Sequence, residues 1–147
     1  MTQVRLDVLP DAAYVRVARL VAVSMARLSG VDEEVVEDVR LAVGEACGRA
    51  VAAHLQHGLV EPVSLSFEGG RGLAASVVDR VGLPAARGHD AVALLLAASA
   101  DRPGADVDLV AGDAPAVLAL LEGLAQQVEV RTGADGTTVD LRWGTAG

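Results

Sequence analysis

The sequence predicts an α+β fold, a two-layer sandwich in which helices cover one face of a mixed, mostly antiparallel sheet. Three observations predict it. Apolar residues alternate with a period of two in an opening stretch, in a middle pair and in a closing pair, and glycine-bearing turns separate the members of each pair. Apolar residues recur at helical spacing in the intervening stretches. No internal repeat or low-complexity linker divides the 147 residues, so 1–147 form one domain, long enough to bury a single core without disulfides or metal.

The first strand is carried by Val4, Leu6 and Val8, which alternate with polar residues until Pro10 stops the pattern. Asp11 stands where a helix N-cap belongs, and Tyr14, Val17, Ala18, Val21 and Met25 follow at helical spacing up to Gly30. A second helix starts after Asp32, because Glu33 and Glu34 suit the positive end of a helix dipole. Val36, Val39, Val43, Ala46 and Ala50 form one face of it, and it ends near Gly58. The period then changes. Val63, Leu65 and Phe67 alternate, as do Leu73, Ala75 and Val77, with residues 68–72 as the hairpin turn. Residues 80–112 are irregular, with Gly82, Pro84, Gly88, Pro103 and Gly104 around a short apolar helix near 90–100. A last helix over 114–125 leads to strands at 128–130 and 139–143, joined by a turn at 133–136.

With 52% hydrophobic but only 2% aromatic residues, the core must be built from Ala, Val and Leu, so elements approach closely. All 12 basic residues are Arg, which reflects a GC-rich coding genome rather than a function. A net charge of -8 disfavours non-specific nucleic-acid binding and favours a protein partner. Lone Cys47 lies in an apolar helical pattern and reads as a small buried filler. The opening residues lack the apolar run of a signal peptide, and stretches such as 92–98 are too short to cross a bilayer, so the expected location is the cytoplasm. His54, His57 and His89 make no recognised metal-ligand spacing, and His54 and His57 read as residues near a helix end that favour its dipole.

Three segments carry a family resemblance: 9–19, a Leu-Pro entry into an Arg-bearing helix; 38–51, which contains V-R-L-A-V-G-E-A-C-G-R-A-V; and 128–143, E-V-R-T-G-A-D-G-T-T-V-D-L-R-W after its first Val. With them the chain resembles the anti-sigma factor serine kinases, whose ATPase domain, of the Bergerat type, is shared with sensor histidine kinases, Hsp90, gyrase B and MutL. It is most similar to actinobacterial members, some of which have an altered metal helix. The resemblance implies that 80–112 is a degenerate lid region, that Glu45 stands at the position of the catalytic base, and that Arg49 stands where the family's Asn holds Mg²⁺ against the ATP phosphates. A guanidinium has five donors, no acceptor and a permanent charge, so it cannot ligate a cation. Arg49 is expected to neutralise Glu45, as an ordinary i,i+4 pair worth about 0.2–0.5 kcal/mol, or to touch a phosphate directly.

Two further family motifs are altered. In the adenine loop D-x-G-x-G, Asp79 is in register, Val81 takes the first glycine's place and Gly82 falls one residue off. A β-branched residue resists positive φ there. In the phosphate-cradling G-x-G-L-x-L, the glycines correspond to Pro115 and Val117, while Leu118 and Leu120 keep the apolar pattern; Gly112 and Asp113 precede the helix, Asp113 as its N-cap.

The resemblance therefore implies a regulator of partner-switching type, binding an anti-sigma factor antagonist, a sigma factor or both, with ATP binding and phosphotransfer impaired or absent and no cofactor required. Alternatives are an active serine kinase that phosphorylates the antagonist with ATP and Mg²⁺, and a dimeric scaffold unrelated to sigma control. Family members use the first strand and following helix for dimerisation and sigma contact, which makes Arg16 and Arg19, three apart on one turn, the candidate partner-binding residues and a homodimer an expectation.

Overall fold

The alternation of Val4, Leu6 and Val8 becomes strand β1, Thr2–Val8, in a computed structural model that describes residues 2–100 and 114–145. Asp11 accepts a hydrogen bond from the Ala13 amide at 2.9 Å and so caps, but the turn it caps is the tight 3-10 piece Ala12–Tyr14. Helix α1, Val15–Leu28, follows directly. Helix α2, Glu33–Gln56, carries Glu33 and Glu34 in its first turn as expected.

Strands β2, Val63–Gly70, and β3, Gly72–Val78, run further into the expected turn than their apolar pattern indicated, leaving Arg71 alone at the tip. A strand of two residues, β4, Ala86–Arg87, lies inside the irregular region; two residues are too few to show a period. Helix α3, Gly88–Ala100, helix α4, Ala114–Leu124, and strands β5, Gln127–Gly133, and β6, Gly136–Trp143, follow among the described residues. The sheet order is β1-β2-β3-β6-β5-β4, and every pairing among the described residues is antiparallel, so the sheet is not mixed.

One sheet face is covered. Leu65, Phe67, Ala75, Val77, Val139, Leu141 and Trp143 point into the layer beneath the helices and are buried. The alternate residues face outward and are mostly polar, with Ala74 and Val78 as exceptions, in keeping with an antiparallel sheet that has one wet side. On that side Ser76 donates to Asp140 at 2.5 Å, and Arg131 donates to the same carboxylate at 2.6 Å.

Helix α2 is the centre of the fold. Residues 42–44 and 46–51 are all buried, because α1, α4 and the strands β2 and β3 surround it. The side chains there are small, which permits this approach, and Cys47 is one of the fillers. Burial pushes its thiol up to about 11, partly offset by nearby Arg19. Helix α1 differs from the expected register. Its buried face is Val15, Ala18, Ala22, Met25 and Ala26, the alanines allowing close contact with α2, while Tyr14 and Val17 are 41% and 42% exposed. Among the described residues no helix is long and apolar enough to cross a membrane.

Gly136 has φ +136°, and a Cβ there would collide with the backbone carbonyl of Asp79. Gly136→Ala is therefore expected to lower stability by about 2 kcal/mol or more in urea denaturation; an unchanged midpoint would show that this approach is not required. For Cys47, native protein at pH 8 is expected to react with a small disulfide reagent about a hundredfold more slowly than urea-unfolded protein, since little thiolate forms. Equal rates would mean the thiol is not buried.

Candidate functional site

The period of β3 does not stop at Val77. Two residues on, Asp79 falls on the same covered side and is 1% exposed. From the other layer, Arg49 projects from the buried middle of α2 and is 6% exposed. Either charge alone at such depth would be strongly unfavourable. The two meet: Arg49 Nη2 donates to Asp79 Oδ2. The other carboxylate oxygen, Oδ1, accepts the Val81 amide at 2.8 Å in an Asx-type turn. Both oxygens of Asp79 are thereby engaged by groups of the chain itself.

Arg49 thus corrects the expectation that it would turn to Glu45. An exposed i,i+4 pair contributes a few tenths of a kcal/mol, whereas leaving a buried charge unpaired costs about 3–5 kcal/mol, so the carboxylate of Asp79 wins the guanidinium. The pairing is through one nitrogen only, and Arg49 Nε has no hydrogen-bond partner among the described residues. Glu45, half-buried on the preceding turn, forms no hydrogen bond or ion pair with the described residues.

His54 is the member of this cluster that sequence reasoning missed. It lies in the last turn of α2, near the helix end as the sequence indicates, and it is fully buried. Its Nε2 accepts the Arg80 amide at 2.8 Å, which places the ring proton on Nδ1, and Nδ1 donates to the Glu61 carbonyl at 2.8 Å. The signal was available: His54 continues the buried face of Val43, Cys47 and Ala50 at helical spacing. His57, by contrast, is exposed and within 2.9 Å of the Ala53 carbonyl, in keeping with a helix-end role.

Segment 79–84 is therefore held from two sides. Arg49 and His54 of α2 grip its start, and the β5–β6 hairpin grips its end. Leu83 donates its amide to Gly133 at 2.9 Å, and Thr132 donates its hydroxyl to the Pro84 carbonyl at 2.7 Å. Gly82 faces the turn of that hairpin, where a Cβ would lie 2.6 Å from the Ala134 carbonyl. In this structure Gly82 serves docking of the segment onto the hairpin.

The candidate partner residues separate. Arg16 is exposed on α1, whereas Arg19 is half-buried and folded across Gly44, so the two do not form one exposed patch. Around Arg16 the surface is apolar: Leu9, Tyr14, Val17 and Leu20 are all exposed. Pro115 stands in the first turn of α4 and Leu120 is 46% exposed. Gly112 and Asp113, and the side chains of Pro115, Val117 and Leu118, lie outside the described residues. Among the described residues no group of three His, Cys, Asp or Glu side chains is placed to hold a metal ion.

The arrangement offers no oxygen at residue 49 for a divalent cation and a carboxylate at residue 79 already neutralised. No curated protein matches the chain in sequence. Among solved structures, it is similar to the RsbU and RsbW domains of Rv1364c from Mycobacterium tuberculosis, with a TM-score of 0.60 and 17% identity over 97% of this chain. The match takes in 31% of that chain, so this chain corresponds to less than a third of its length. At that identity the likeness is one of fold. The family model described as the histidine kinase-like ATPase domain matches residues 8–143, and the chain therefore belongs to the histidine kinase-like ATPase domain family.

Proposed function

We propose that this chain is an anti-sigma-factor-like regulator of a partner-switching system, working by reversible protein binding with ATP binding and phosphotransfer impaired or absent. The observation that carries this reading is the buried pair of Arg49 and Asp79. It sets a cation where the family has its magnesium ligand, and it engages the carboxylate that in the family receives the adenine amino group. Loss of Mg²⁺ ligation removes the charge neutralisation on which phosphoryl transfer depends. What is left is a framework with an exposed apolar stretch on α1 beside Arg16, suited to an anti-sigma factor antagonist, a sigma factor or a second copy of the chain.

One observation favours the enzyme reading, an antagonist-directed serine kinase with ATP and Mg²⁺. The Glu45 carboxylate has no partner among the described residues and so is not consumed by a structural role.

Isothermal titration of the whole protein with ATP and Mg²⁺ is expected to give no measurable heat at micromolar concentrations, while a sigma factor or antagonist copurifies with it. Micromolar magnesium-dependent affinity, or radiolabel transfer to an antagonist that Glu45→Ala abolishes, would defeat the proposal in favour of the kinase. For the contact surface, Arg16→Glu is expected to weaken that partner about tenfold in a binding titration. An unchanged Kd would remove Arg16 from the interface.

A further inference from the structure

The Arg49 side chain behaves as a ligand that happens to be attached to the protein. Its planar group of N–H donors sits between layers, against a carboxylate that is 1% exposed and already fixed by the Val81 amide. The fit is incomplete, since one nitrogen pairs with Asp79 and Nε lacks a partner among the described residues. The receiving side is also held by contacts that do not involve Arg49. Asp79 donates its own amide to the Thr137 carbonyl at 3.0 Å, His54 holds Arg80, and the hairpin holds Leu83 and Pro84.

We infer that Arg49 is a tethered occupant of a preformed site for a planar nitrogen cation, with Asp79 as its recognising group, and that it keeps this site closed to external ligands. The inference rests on the reading that this position no longer serves ATP, but it can fail separately from it. Truncating Arg49 leaves a space of guanidinium size and a buried carboxylate in need of a counter-ion. A free guanidinium compound supplies the missing planar donors and charge. A quaternary ammonium supplies charge without N–H groups and cannot.

The test uses the full chain with Arg49→Ala and methylguanidinium as the probe, at millimolar concentrations well below those that denature. The variant is expected to melt below wild type and to recover by about 3–5 °C at about ten times the probe's Kd. Wild type, Arg49→Ala with tetramethylammonium, and the double variant Arg49→Ala, Asp79→Ala are expected to show no such rise. Should Arg49→Ala fail to fold alone, its refolding yield with and without the probe reads the same quantity. A shift no larger than that of wild type, or one that persists without Asp79, overturns the inference. No nucleotide enters the experiment, so its outcome is independent of the ATP titration that tests the proposed function.

Discussion

A single ion pair across the two layers constrains the rest of the site. Arg49 lies on the most enclosed part of α2, and Asp79 lies at the point where β3 gives way to the irregular segment. Because neither charge is sustained without the other at that depth, their meeting fixes how the end of the central strand is placed under the central helix. His54 repeats the logic with a neutral ring, joining the Arg80 amide to the Glu61 carbonyl. The stretch that follows is pinned onto the last hairpin by backbone and hydroxyl contacts.

Most of the architecture was legible in the sequence because the small-residue core keeps its periods clean. The covered face of α2, the strands β2, β3 and β6, and the Asp11 cap follow from spacing alone. The two-residue β4 did not, because pairing with β5 and not its own pattern makes it a strand. The register of α1 departs from the apolar spacing where size and burial part company: alanines take the tight contact with α2, and the larger Tyr14 and Val17 are left outside. The site was half legible. The basic residue at 49 is plain in the sequence, but its partner lies across the layers and not along the helix, where spacing is visible. The alternation of Leu73, Ala75 and Val77, carried two residues further, already put Asp79 on the covered side.

The separation of the buried cluster from the α1 surface bears on how such a domain can act. The cluster is internal and engages the chain's own groups, while Leu9, Tyr14, Val17 and Leu20 present apolar area to the outside. The fold thus leaves apolar side chains on its outside while its interior is committed to holding the fold together.

The pairing of residues 49 and 79 also has an evolutionary consequence. Loss of either charge by itself strands the other away from water, a penalty of about 3–5 kcal/mol against a total stability of roughly 5–15 kcal/mol. Either position therefore tolerates change best when its partner changes with it, so the two residues behave as one unit under substitution.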